Sequence, residues 1–253
     1  MGAIRTYRAG VLVLIVGIVT AACGSGPSAE VGAFCADYVE VRGLMGSGPD
    51  DADPMPWVEQ LTGGLESLEA NAPSEISSAV TGISDAVLEP VANLDVDGYF
   101  AATESAEFQE DSAVVADFIG AECGFDNVDV TGIDYAFDAE LDGIEAGTVA
   151  FDFSNEGTEL HEMALIRIND DVTEGLEELL ALPEEEAQSK TTFVGVAFAE
   201  PGGGDTMYAD LDAGRYAVLC FIPTGSTSME DAETADGPPH FTQGMVQEFM
   251  VEG

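Results

Sequence analysis

Two histidines, a late cysteine and a methionine stand where they could share one ion: His161, Cys220, His240 and Met245. The chain has only two histidines, and both belong to this set. Cys220 closes the segment Gly214-Arg-Tyr216-Ala-Val-Leu-Cys220, and after a long polar stretch comes Pro239-His240-Phe-Thr-Gln-Gly244-Met245. Two imidazole nitrogens and a thiolate, with a thioether as a long weak axial donor, suit a copper ion that passes electrons. Each residue alone has a plainer use, as an inert buried thiol, a hydrogen-bonded histidine or a core methionine. Their joint order points to a metal. Around the first histidine the chain reads Asn155-Glu-Gly-Thr-Glu-Leu-His161-Glu162, so Asn155 and Glu162 are candidates for outer partners that orient His161 or the Cys220 loop. On an ideal strand Glu162 points away from His161, which makes it a poor ligand.

These residues resemble the cupredoxins, the plastocyanin-like type 1 copper family. There an early His closes one strand, Gly-x-Tyr-x-x-x-Cys carries the thiolate and His-x-x-x-x-Met follows. Gly214, Tyr216 and Cys220 match the first of these motifs, and His240 and Met245 the second. The resemblance covers roughly 133–253 and implies a Greek-key β-sandwich, copper as the cofactor and His161, Cys220, His240 and Met245 as its ligands. One departure is plain: nineteen residues, 221–239, separate Cys220 from His240, where plastocyanin has only a few. Closing a longer loop costs only about 0.6 kcal/mol per doubling, so both ends can still reach one ion. The expected price of the insertion is a less rigid site.

With both imidazoles committed, none is left for a second, catalytic copper or for Ser-His-Asp or Cys-His catalysis. The expectation is therefore a one-electron carrier rather than an enzyme. Its alternatives are a copper carrier or buffer using the same ligands, and a metal-free sandwich that binds a protein or sugar.

The first 22 residues read as a signal peptide: Arg5 and Arg8 precede an apolar run, 11–19, too short for a membrane span. Thr20-Ala21-Ala22-Cys23 resembles a bacterial lipobox, implying lipidation of Cys23, a membrane anchor and an extracytoplasmic location for a lipoprotein resembling those of actinobacteria. Disulfides persist in such compartments. With Cys23 lipidated, Cys35, Cys123 and Cys220 remain. A Cys35–Cys123 bridge would free Cys220, although sequence leaves all three pairings open. Forty-nine acidic residues against six basic ones give a net charge of −43, which excludes nucleic-acid binding through a basic face. The acid is spread along the chain, as on the solvated surface of a salt-adapted protein; it would also steer a redox or copper-exchange partner with a basic surface.

The positioning elements fall into two domains, making the fold α+β. After a tether, 23–29, residues 30–130 repeat apolar positions at helical spacing in Val31-Phe34-Cys35-Tyr38, Trp57-Leu61-Leu65-Leu68, Ile76-Val80-Ile83-Val87 and Val114-Phe118-Ile119. They predict a four-helix bundle. Asn93 to Glu104 has the spacing of a calcium loop, but Asp95 or Asp97 serves equally well as a helix N-cap. The second domain, 131–253, has period-two segments at 133–138, 148–154, 160–168, 192–198, 206–211, 215–222 and 245–251. A helix is expected over 172–187, inserted between strands. Pro201-Gly-Gly-Gly-Asp205 reads as a hairpin turn.

Overall fold

The computed structural model describes residues 27–49 and 53–253. The signal peptide and Cys23 lie outside them. Among the described residues no helix is long and apolar enough to cross a membrane.

Five helices build the N-terminal bundle: α1 Ala29–Ser47, α2 Met55–Asn71, α3 Ser77–Asn93, α4 Val96–Thr103 and α5 Ala106–Glu122. Their heptad-like apolar positions, including Phe34, Leu61, Leu65, Val80, Val87 and Ile119, form one buried core. The fourth helix of the sequence reading is two helices. Asp95 accepts from the Gly98 amide and caps α4, while Ser105 accepts from the Phe108 amide and starts α5. Because 96–103 is helical, the Asn93–Glu104 segment does not wrap an ion as a calcium loop would. Val114 is exposed and Val115 is buried in its place, a shift of one position on α5. A disulfide joins Cys35 of α1 to Cys123, the C-cap of α5, and Cys220 is a free, buried cysteine. The bridge closes a separation of 88 residues, worth on the order of 4.5 kcal/mol in the chain-entropy account.

The second domain is a two-sheet sandwich. Its strands are β1 Asp126–Ile133, β2 Ala136–Ala139, β3 Ile144–Glu145, β4 Gly147–Asn155, β5 His161–Ile168, β6 Thr191–Ala199, β7 Gly204–Leu211, β8 Gly214–Leu219 and β9 Val246–Glu252. One sheet has the order β2-β1-β4-β7, the other β3-β9-β8-β5-β6. Between them Val130, Phe151, Phe153, Leu165, Tyr216, Val218 and Phe249 are buried face to face. The segment 133–138 is not one strand: Asp134 and Tyr135 form the turn between β1 and β2, and β1 begins earlier than sequence suggested. The glycine-rich turn at 201–203 is not a hairpin either, because β6 and β7 lie in different sheets. The expected helix over 172–187 is two short ones, α6 Leu176–Leu180 and α7 Glu184–Lys190. Pro183 separates them: its ring fixes φ, it lacks an N–H, and it forces the preceding residue out of the helix.

The domains meet where α1 lies against β6 and β7. Tyr38 packs edge-on to Tyr208 with centroids 5.3 Å apart, and Arg42 reaches Asp205 and the Thr206 carbonyl.

Candidate metal centre

At one end of the sandwich a small second core gathers Leu160, Cys220, Ile222 and Met245, with Tyr135 packed against it. His161 is the first residue of β5, Cys220 follows the last residue of β8, His240 opens a turn of 3-10 helix over His240–Gln243, and Met245 immediately precedes β9. All four side chains are completely buried. The Nδ1 atoms of His161 and His240 are 3.1 Å apart, and Cys220 Sγ is 3.3 Å from His240 Nδ1. His161, Cys220 and His240 together form a three-donor cluster that could hold a metal ion. Met245 shares the buried core with Cys220, and its methyl reaches toward Gly132, where a Cβ would stand 3.2 Å from Met245 Cε. A side chain at 132 would crowd that thioether.

The inserted loop is more ordered than its length suggests. Its ends are laced together by His240 N–H to the Ile222 carbonyl at 2.9 Å, Phe241 N–H to Cys220 at 2.8 Å and Thr224 N–H to Pro238 at 3.0 Å. Between them lies α8, Met229–Thr234, capped by Ser228. The Leu160 amide donates to the Ser226 carbonyl at 2.8 Å and pins the loop beside β5.

Outside the rings, each histidine meets a carboxylate. His161 Nε2 is 3.1 Å from Asp134 Oδ1, and His240 Nε2 is 3.1 Å from Glu159 Oε2. Thr158 donates its amide and hydroxyl to Asp134, and the Tyr135 hydroxyl and Gly225 amide donate to Glu159. Partial desolvation pushes both carboxyls upward, but these donors and the histidines outweigh it and hold them below the ordinary carboxylate range. Burial, with His240 alongside, lowers His161 despite the opposing Asp134 charge. Burial pushes the Cys220 thiol up to about 12, although the Glu162 and Ile222 amides pull the other way.

Donor arithmetic then tests the site for a cation. An ionised carboxylate only accepts, so a ring that faces it through Nε2 and carries a single proton carries it there, with the Nδ1 lone pair facing inward. Two nitrogen lone pairs and a sulfur lie in van der Waals range with one thiol proton to share. Buried acceptors left without donors are costly, and a soft cation is what this set lacks. The donor set fits copper.

Of the two outer partners expected from sequence, Glu162 serves the cysteine rather than the histidine. Its amide is 3.4 Å from Cys220 Sγ, and its carboxyl accepts from the Phe221 amide at 2.7 Å. Burial raises that carboxyl's pKa, partly offset by the Phe221 bond. Asn155 touches no ring; it donates to the carbonyls of Glu159 and Ala199 and accepts from the Gly157 amide, fixing the turn before β5. Sequence reasoning missed Asp134 and Glu159. The only available signal was that Glu159 lies two residues before His161, in register with it on an extended strand.

The C-terminal half is a two-sheet sandwich that carries a His161, Cys220 and His240 cluster at one end. No protein-family model and no curated protein matches the chain. Among solved structures, this chain is similar to reduced auracyanin from Roseiflexus castenholzii, at 18% identity over 50% of this chain and 97% of that one, TM-score 0.32. Auracyanin A, a blue copper protein from Chloroflexus aurantiacus, aligns at 19% identity over 51% and 100%, TM-score 0.31. A multicopper oxidase aligns at 16% over 50% and 41%, TM-score 0.24.

Proposed function

We propose that this protein is a copper-binding one-electron carrier, working outside the cytoplasm and held to the membrane by lipid on Cys23. The observation that carries the reading is the buried meeting of His161 Nδ1, His240 Nδ1 and Cys220 Sγ, three soft or borderline donors short of protons, with the Met245 thioether in the same small core. In this account His161, His240 and Cys220 would hold the copper, and the Met245 thioether, in the same small core, would help to tune its potential. The copper would supply reversible exchange of a single electron. The protein supplies a site whose side chains are fully buried from water.

Burial favours an electron carrier over a copper carrier, because a metal handed to another protein needs ligands that open to it. The described part has four basic residues, and each is ion-paired, Arg42 with Asp205, Arg167 with Asp170, Lys190 with Glu174 and Arg215 with Glu248. An acidic surface with its few cations occupied favours a redox partner with a basic face, meeting at a rate that falls with salt.

Voltammetry of the copper-loaded protein, paired with transfer to a Cu(I)-selective chelator, tests the reading. The expected result is a reversible one-electron wave and slow release. Rapid transfer without a reversible wave would make it a copper carrier, and failure to bind copper would leave a metal-free module. Metabolic labelling with a fatty acid, abolished by Cys23→Ala, tests the anchor.

A further inference from the structure

Forty-nine acidic residues make most carboxylates of this chain interchangeable surface charge, but two of them are built into the site from the far side. Asp134 comes from the turn between β1 and β2, and Glu159 from the turn between β4 and β5. Each places an oxygen 3.1 Å from the outer nitrogen of a different histidine. Neither is free to swing away. Asp134 is held by the amide and hydroxyl of Thr158, and Glu159 by the Tyr135 hydroxyl and the Gly225 amide. Gly157 completes the arrangement, since a Cβ there would collide with both Asp134 Oδ1 and His161 Nε2. The Tyr135 ring also packs on His240, with centroids 4.9 Å apart.

We infer that Asp134 and Glu159 are positioning residues which fix both imidazoles as the Nε2–H tautomer, with Nδ1 turned toward Cys220, before any metal arrives. A carboxylate cannot donate, so a ring proton on Nδ1 would leave two acceptors opposed at each outer contact. Fixing the tautomer presents two lone pairs to one point and spares the metal the work of reorienting buried rings. Outer partners of this kind are worth about 10- to 100-fold in metal affinity. Glu159 has a second task, because the same carboxylate ties His240 to Gly225 of the inserted loop, so ligand and loop hold position together. The two negative charges also favour the more positive oxidation state of a bound metal.

This inference rests on the copper reading for its purpose but not for its test. Having two histidines, the chain gives a two-ring spectrum in long-range ¹⁵N–¹H NMR, which reports the tautomer of each ring in metal-free protein. Both rings are expected to carry the proton on Nε2; a proton on Nδ1 of either would overturn the proposal whether or not copper binds. In copper titrations Asp134→Ala and Glu159→Ala should each bind Cu(II) about 10- to 100-fold more weakly than wild type. Asp134→Asn and Glu159→Gln, whose amide oxygens still accept from Nε2–H, should recover most of the affinity while raising the reduction potential. Alanine variants that fold, judged by circular dichroism, and bind copper with unchanged affinity and paramagnetic spectrum would contradict the proposal. Should the alanine variants not fold, an unshifted potential in Asn and Gln variants would contradict it equally. A wild type that binds no copper would refute the proposed function, leaving the tautomer result to decide the positioning role.

Discussion

Cys220 Sγ lies 3.3 Å from His240 Nδ1 although a loop of nineteen residues runs between them. The contact survives because the two ends of the loop are tied to each other by backbone hydrogen bonds. Cys220, Ile222 and Thr224 on the way out face Phe241, His240 and Pro238 on the way back. The ends are thus fixed by backbone bonds, and the length beyond Thr224 adds little to what the metal donors experience.

Gly157 is the tightest steric point at the outer edge of the site. Gly157→Ala is expected to fold, because the turn is at the rim of the sandwich, but to push Asp134 away from His161. Copper affinity should fall by about tenfold, within the range for losing an outer partner. Equal affinity in a chelator competition would show that the Asp134–His161 contact does not matter to binding.

Copper binding should release the Cys220 proton. With burial pushing this thiol up to about 12, the metal-free protein keeps its proton throughout the neutral range, whereas a thiolate is needed on the metal. Raising the pH therefore favours the bound form, by about tenfold per pH unit for one proton. Calorimetric titrations in buffers of different ionisation heat measure the proton count directly. A count near zero contradicts the assignment of Cys220 as ligand.

Glu162 should weaken the fold as the solution becomes alkaline. Its folded-state pKa is raised, so the native state binds the proton more tightly than the unfolded chain does. The resulting contribution is fully present below the unfolded pKa and is lost as pH rises through the folded one. Glu162→Gln keeps an oxygen for the Phe221 amide and carries no charge. The variant should gain on wild type as pH rises above the ordinary carboxylate range, by about 2–4 °C in Tm for each kcal/mol. Parallel Tm curves for the two proteins would contradict this.

Removing the disulfide should loosen the bundle and spare the metal. Cys35→Ser with Cys123→Ser is expected to cost about 2–5 kcal/mol. Trp57, the only tryptophan, sits in α2 and reports bundle unfolding, while copper absorbance reports the sandwich. The fluorescence midpoint in urea should drop with the spectrum unchanged. A lost spectrum would mean that the domains do not hold their structures separately.

The convergence of His161, Cys220 and His240 was legible because histidine and cysteine are rare in this chain and their order is specific. Asp134 and Glu159 were not, for the opposite reason: acids are everywhere, and nothing local distinguishes two that lie beneath a ring. Asp134 was further hidden by reading 133–138 as one strand, when Asp134 and Tyr135 are themselves the turn between β1 and β2. The start of the sandwich was lost because Asp126, Asn127 and Asp129 surround the few apolar residues of β1, whose strand is completed by parallel pairing with β4. The bundle was easier, since helical periodicity is repeated over many turns. Its two mistakes, the split of α4 from α5 and the inversion of Val114 and Val115, come from a short helix with no buried residues of its own. The inserted helix failed at Pro183, whose effect on the residue before it overrides the leucine spacing on either side.

X-ray absorption at the copper edge, recorded on protein loaded with one equivalent of Cu(II), asks most directly whether these side chains meet at one ion. The account predicts one short sulfur and two imidazole nitrogens around the copper, with an intense blue thiolate-to-copper absorption that disappears in Cys220→Ser. Copper surrounded by oxygen and nitrogen alone, or a colourless protein whose spectrum ignores Cys220→Ser, would contradict it.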